Sequence, residues 1–284
     1  MTIREALNQG VIMLKNENIE SPKIKARVIL EFTLKKTREF LIVYDKKEIT
    51  QKQRDEYVRN IKRLIQGEPL QYITGLQEFM KLKFFVNKHV LIPRQDTEIL
   101  VEEVIEIAKK LETPTILDLC TGSGAIAVSV AKYIENSKIT ATDISKEALE
   151  VAKKNARFNG IFNNIEFIES DMFKKLKNRK FDIIVSNPPY IHTKEIKKLP
   201  IDVQNEPAIA LDGGSTGLDF YEIIANQGSN YLNRNGFICL EIGFDQRARV
   251  QDILRKNKHG GEIYCKKDLC GNDRVIVVHA NNYN

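Results

Sequence analysis

From Thr97 onward, apolar runs of strand length alternate with helical stretches, and this alternation restricts the fold more than any other feature. A helix is predicted near 97–111. Strands follow at 115–119, 138–142, 164–168 and 181–186, with helices at 124–134 and 146–158. After a long loop come a helix near 217–231, a strand at 236–242, a helix at 245–256 and strands near 261–265 and 274–280. Strands alternating with helices imply right-handed crossovers, hence a mostly parallel α/β sheet with helices on both faces. Seven strands are predicted. No helix separates the last two, so they are expected as an antiparallel pair at the sheet's edge.

The first 66 residues carry helical periodicity instead. Ile3, Ala6, Leu7, Val11 and Leu14 share one face. Ser21-Pro22 reads as an N-cap with proline at the first helical position, ahead of Ala26, Ile29, Leu30 and Leu34. Thr50 caps a third helix, Gly67 stands where a C-cap glycine would, and Pro69 prevents continuation. Residues 76–92 change to a β-hairpin pattern ending at Pro93. The expected division is a helical bundle over 1–70, a hairpin linker over 71–93 and an α/β domain over 94–284.

Charge follows that division. Residues 1–88 hold 18 Lys and Arg against 11 Asp and Glu, and residues 89–284 hold 26 against 27. The basic excess lies wholly in the first third, which suits an acidic or nucleic-acid-rich partner, or a solvated surface. At 42% hydrophobic and 29% charged, the chain can build a sizeable core. No window approaches the roughly 20 apolar residues that span a bilayer. Arg4 and Glu5 stand where a signal peptide needs an apolar run, so a cytoplasmic location without membrane contact is expected. The four cysteines form no C-x-x-C, no His/Cys cluster has zinc spacing, and no metal is expected. His89, His192, His259 and His279 are scattered and read as structural or exposed.

Asp118-Leu-Cys-Thr-Gly-Ser-Gly124 follows the first strand of the α/β part and opens a helix. Gly122 and Gly124 lack the Cβ atoms that would keep a ligand off the backbone, and a helix start offers free N–H donors. Asp143 ends the next strand, where a carboxylate can accept both hydroxyls of a ribose. This much fits a nicotinamide dinucleotide as well. Three features favour S-adenosylmethionine. Asp118 precedes the glycines, suited to an ammonium group. Asp171 follows the third strand, within reach of an adenine amine. The sheet also closes with the antiparallel pair.

Ser186-Asn-Pro-Pro-Tyr190 follows the strand 181–186 directly, at the carboxyl end where ligands bind in such sheets. Pro188 and Pro189 remove two N–H groups, so the loop presents acceptors. The Asn187 amide oxygen and the Pro188 carbonyl can take both hydrogens of an –NH₂ group, and Tyr190 offers an aromatic face. Fixing both N–H bonds aims a delocalised nitrogen lone pair at a sulfonium methyl, which is catalysis by positioning.

N-P-P-Y marks methyltransferases of planar nitrogens, on DNA adenine, rRNA guanine or protein glutamine. Pro93-Arg-Gln-Asp-Thr-Glu98, Asn205-Glu-Pro207, Leu211-Asp-Gly-Gly214, Gly217-Leu218, Glu241-Ile-Gly243 and Asp268-Leu-Cys-Gly-Asn-Asp-Arg274 occur with it in order. Together they resemble the release factor glutamine methyltransferase (protein-(glutamine-N5) methyltransferase) family, within the class I S-adenosylmethionine-dependent superfamily. The resemblance covers almost the whole chain.

It implies a Rossmann-like seven-stranded sheet and a helical N-terminal domain joined by a β-hairpin. It implies methylation of the Gly-Gly-Gln glutamine of class 1 peptide chain release factors, with S-adenosylhomocysteine as product. The cofactor would lie along Asp118, Cys120, Thr121, Gly122, Ser123 and Gly124. Asp143 would face the ribose, Asp171 and Met172 the adenine, and Asn187 the methyl group. The substrate glutamine would lie in Asn187, Pro188, Pro189 and Tyr190. A monomer without direct nucleic-acid contact is expected. The family usually has glycine where Cys120 stands and often tryptophan where Met172 stands. Arg94, Glu98 and Glu206 fall in family words without an assignable role. A nucleic-acid amine methyltransferase and a binding-only domain remain the alternatives. The first would show affinity that falls steeply with salt.

Overall fold

A computed structural model describes residues 1–257 and 261–280. His259 lies outside them. The chain forms two compact units. One comprises Met1–Gly75 with Pro200–Asn205, the other Leu76–Leu199 with Glu206–Asn284.

The first unit is helical: α1 (Ile3–Asn16), α2 (Pro22–Leu34), α3 (Arg38–Val43), α4 (Gln51–Ile65) and α5 (Leu70–Thr74). Thr2 and Thr50 close capping boxes with Glu5 and Gln53, which satisfies N–H groups that a helix start leaves unpaired. The predicted Ser21 cap does not form. Ser21 holds a left-handed backbone (φ 53°), its side chain makes no cap bond, and its carbonyl accepts from Ile24 and Lys25 instead. The short α3 and α5 escaped the periodicity, since one or two turns carry too little pattern. Leu14, Ile29, Leu30, Tyr57 and Ile61 fill the core. Gly10 admits Tyr57 there, because a Cβ would stand 2.0 Å from the phenol oxygen.

The second unit begins with β1 (Leu76–Phe79) and β2 (Leu82–Phe85), an antiparallel hairpin whose turn residues, Met80 and Lys81, both have positive φ. Their primed geometry matches the twist of paired strands. The hairpin ends at Phe85, not near 92, and its Phe79 and Phe84 are wholly buried in the second unit's core.

Then follow α6 (Thr97–Ala108), β3 (Thr115–Leu119), α7 (Ala125–Tyr133), β4 (Lys138–Asp143), α8 (Lys146–Phe158), β5 (Ile165–Glu169) and β6 (Phe181–Ser186). α9 (Ile201–Gln204), which belongs to the first unit, precedes α10 (Asp219–Gln227), β7 (Leu232–Glu241), α11 (Arg247–Lys256), β8 (Gly261–Lys267) and β9 (Asp273–Ala280). The seven-stranded sheet has the order β5-β4-β3-β6-β7-β9-β8. β3 to β7 run parallel, and β9 is antiparallel to both its neighbours, as the missing last helix requires.

Strand residues alternate between two cores. Ile183 and Val185 face the side of α6 and α7, and Ile184 faces the side of α10 and α11. Both faces are therefore covered, which explains apolar runs without polar alternation. The chain winds outward from β3 to β5, then returns to β6 on β3's other flank. The loops after β3 and β6 consequently part in opposite directions and open a crevice between them.

Candidate active site

The crevice holds a cavity of ≈ 200 Å³, lined by residues from the ends of β3, β4, β5 and β6. Cys120, Thr121, Gly122, Ser123, Asp143, Asp171, Met172, Asn187 and Pro189 all line it. Asp118, Gly124, Pro188 and Tyr190 do not stand on its wall.

Asp118 is wholly buried behind the glycine loop. Its Oδ2 accepts from the Thr121 hydroxyl at 2.6 Å and from the Ala127 N–H at 3.2 Å, while Oδ1 has no partner. Burial pushes its carboxyl up to about 7. In this position it ties the loop to the start of α7. Gly124 (φ 78°) packs against α8, where a Cβ would meet Ala152 at 3.0 Å. Asn155 braces the same loop by donating to the Ser123 carbonyl at 2.8 Å and exchanging hydrogen bonds with Phe85 of the hairpin.

Asp143 takes the Gly122 N–H on Oδ2 and the Ser145 N–H on Oδ1, at 2.8 and 2.9 Å. Burial raises its pKa, and those N–H groups oppose the shift. Asp171 is half-exposed and paired with Lys174 at 2.6 Å. Met172 is buried, with positive φ, as is φ at Cys120. Burial pushes the Cys120 thiol up, so it stays protonated.

The N-P-P-Y loop is held from behind. Asn187 Nδ2 donates to the Thr97 hydroxyl at 3.2 Å. Tyr190, part-buried, donates its phenol to Glu241 Oε1 at 3.3 Å and packs against the second core. The Tyr190 carbonyl accepts from Gln246 at 2.9 Å. Ile191 exchanges backbone hydrogen bonds with Leu211 and Gly213. Gly213 lies so close that a Cβ would stand 2.7 Å from the Tyr190 Cα. The Leu211–Gly214 word therefore supports the N-P-P-Y loop.

The three residues without sequence roles also find places. Glu98 accepts from the Met80 N–H at 2.6 Å and pins the hairpin turn. Glu206, almost wholly buried, pairs with Arg94 and accepts the Ile92 N–H at 2.9 Å. Arg94 and Thr97 line the cavity. Thr97 was missed as a site residue because a threonine at a helix start reads as a capping group. A buried bond to a residue 90 positions away leaves no local signal.

These residues fit S-adenosylmethionine. Gly122 (φ 54°) has open space where a Cβ would stand, so a ligand can approach its backbone. Asp143 supplies carboxylate acceptors, and Met172, Ile126 and Ala148 supply apolar wall. Among the described residues no group of His, Cys, Asp and Glu is arranged to hold a metal ion, and no helix is long and apolar enough to cross a membrane.

A glycine loop and an N-P-P-Y loop meeting at the switch point of this sheet define a class I S-adenosylmethionine-dependent methyltransferase. Residues 5–75 match the PrmC N-terminal domain family and residues 95–204 the Methyltransferase small domain family. A release factor glutamine methyltransferase of Moorella thermoacetica is 40% identical over 98% of this chain and 99% of that protein. Another, from Clostridium acetobutylicum, is 41% identical over 98% of each. A bifunctional methyltransferase of Rickettsia bellii is 37% identical, and the match spans 54% of its length. The chain belongs to the release factor glutamine methyltransferase family. Among solved structures, the hMettl16 catalytic domain shares the fold with TM-score 0.57 at 16% identity, over 80% of this chain and 82% of that one. A methyltransferase from Pyrococcus furiosus does so with TM-score 0.51 at 20% identity, over 71% and 90%.

Proposed function

We propose that the protein methylates the side-chain amide nitrogen of the Gly-Gly-Gln glutamine in class 1 peptide chain release factors, and so modulates translation termination in the cytoplasm. The observation that carries this reading is Asn187 on the cavity wall with its amide nitrogen tied back to Thr97, which leaves Oδ1 as an acceptor. Family membership supplies the substrate class.

S-adenosylmethionine, when bound, supplies a methyl group on a sulfonium. Cys120–Gly124 and Asp143 would hold the cofactor, with Asp171 and Met172 flanking the adenine. Asn187 Oδ1 and the Pro188 carbonyl would take the two N–H bonds of the glutamine amide and direct its lone pair at the methyl carbon. The methyl that the cofactor would supply would pass to the nitrogen held by Asn187 and Pro188, an N–C bond replacing the S–C bond, and the nitrogen's proton would pass to water. No strong base is required, since the proton leaves after the nitrogen has become cationic. Catalysis rests on orientation and fixed dipoles. The basic helical residues 1–70 are the proposed grip on the factor, with residues 71–93 as linker.

The test is methyl transfer from labelled S-adenosylmethionine to a purified class 1 release factor, beside the same factor with the motif glutamine changed to alanine. Labelling of the first alone is expected. Labelling of neither, with cofactor binding intact, would overturn the substrate and lead to DNA and rRNA.

A further inference from the structure

Gln246 stands at the cap position before α11, yet its side chain makes no bond to the start of that helix. The side chain turns inward instead, 5% exposed, and its amide is used at both ends. Nε2 donates to the Tyr190 carbonyl at 2.9 Å and to the Gly217 carbonyl at 3.1 Å. Oε1 accepts the Gly243 N–H at 2.9 Å, and the Tyr221 phenol, which donates to the Glu241 carbonyl, stands 3.4 Å from it. The Gln246 backbone N–H closes a ring by donating to the Gly243 carbonyl at 2.9 Å. Two carbonyls at one end and an N–H at the other leave the amide a single orientation. Gly217 and Gly243 clear the space for it. A Cβ would stand 2.6 Å from the Tyr190 carbonyl oxygen at the first and 2.9 Å from Gln246 Oε1 at the second. Three loops, those after β6 and β7 and the one before α10, therefore meet on one buried amide.

We propose that Gln246 is a positioning residue for methyl transfer, which holds the Tyr190 carbonyl and thereby fixes where the Pro188 carbonyl points. The proposal rests on the methyltransferase reading of the N-P-P-Y loop. Pro188 and Pro189 have no N–H, so the loop has no backbone donors at those two residues and depends on groups that reach it from outside. Thr97 holds the Asn187 end at 3.2 Å. Gln246 holds the other end. The bond between the Tyr190 phenol and Glu241 acts on the tip of a side chain, whereas Gln246 acts on the backbone itself. The Pro189 ring locks one of the few torsions between the Pro188 and Tyr190 carbonyls, so a shift at Tyr190 is passed on to Pro188. Without the Gln246 amide, the Tyr190 and Gly217 carbonyls lose a donor, and the loop relaxes only by moving toward another.

Gln246→Met keeps the length and removes the amide, and Gln246→Glu keeps the shape but sets a carboxyl against two carbonyls. For transfer to the release factor, each should lower kcat about tenfold or more, the scale of a sub-ångström misplacement at the reacting group. The KM for the factor and the Kd for S-adenosylmethionine should stay within about twofold. Wild-type kcat in either folded variant, or a loss carried by KM or by the cofactor Kd instead, overturns the proposal. A second readout needs no substrate: the carbonyl-carbon NMR resonances of Tyr190 and Pro188. Both should shift in Gln246→Met, and a shift at Tyr190 that leaves Pro188 in place overturns the proposal. A third needs no variant. In the wild-type protein the Gln246 side-chain amide protons should exchange with solvent at least about tenfold more slowly than those of a free glutamine amide, and exchange at the free rate also overturns the proposal. Failure of the wild-type protein to label any release factor would count against the substrate alone, and the carbonyl resonances would still decide the positioning role.

Discussion

The Cys120 sulfur lies 3.8 Å from the Met172 sulfur, so the two positions where the resemblance leads one to expect glycine and tryptophan touch each other. Both also hold left-handed backbone, with φ of 60° and 47°. The departures are therefore one change in shape. A glycine at 120 would leave room for a tryptophan at 172, and here a small side chain and a flexible one share that space. Met172→Trp alone should crowd Cys120 and weaken S-adenosylmethionine binding. Cys120→Gly with Met172→Trp should restore it. Calorimetry on the two single variants and the pair should give a coupling of about 1 kcal/mol, as for residues in contact. Additive effects would separate the two positions.

Asn187→Ala removes the acceptor that faces the cavity. Turnover should fall about 100-fold or more, the scale seen when one preorganised polar group is lost. Cofactor affinity should largely survive. The check is kcat beside a binding isotherm, and full activity in the variant would sink the mechanism.

Gly213 is required for space, since a Cβ would stand 2.7 Å from Tyr190 Cα and 2.8 Å from the Pro189 carbonyl oxygen. Both neighbours are backbone and cannot swing aside. Gly213→Ala should displace the N-P-P-Y loop and lower kcat by about 100-fold, the size of a misplacement of about 1 Å. Retained turnover in a folded Gly213→Ala protein would show that the loop tolerates movement.

Glu206 joins Arg94 to the Ile92 backbone. Glu206→Ala strands that N–H in the interior and leaves the guanidinium without its partner. Urea unfolding should show a loss of about 2–4 kcal/mol, below the full cost of a buried unpaired charge because Arg94 is partly solvated. Glu206→Gln should recover part of it by keeping the acceptor for Ile92. Equal stability of wild type and Glu206→Ala would remove this bond from the fold's support.

Asp118 carries a pH signature. Its folded pKa of about 7 lies above the usual value, chiefly through burial. The native state therefore binds more protons than the unfolded chain between the two values. Stability from this group is full below about pH 4 and is lost as pH rises through about 7. Asp118→Asn removes that dependence. The unfolding free energy of the variant relative to wild type should shift in the variant's favour from pH 5 to pH 8, by at most about 1.4 kcal/mol per unit. Parallel profiles would contradict the assignment.

The sheet was legible because its strands are buried on both faces and its helices are long. Residues 115–119, 181–186 and 146–158 were readable to the residue. Glycine and proline also announce themselves, so the loops at 120–124 and 187–190 could be placed at one edge. What stayed hidden is what depends on contacts between distant positions. Thr97 serves Asn187, and Glu241 serves Tyr190, through bonds that no periodicity records. The buried partner of the Tyr190 phenol was hidden for the same reason.

Six residues within the catalytic half of the sequence, Pro200–Asn205, belong to the helical unit, and Asn205 donates to the Gly67 carbonyl at 2.8 Å. The boundary between the units is therefore not a single cut in the gene. A chimaera that took residues 1–75 from one relative and the remainder from another would inherit a foreign segment against Gly67. Recombination between family members should thus preserve the pairing of these two stretches, and they should be transplanted together or not at all.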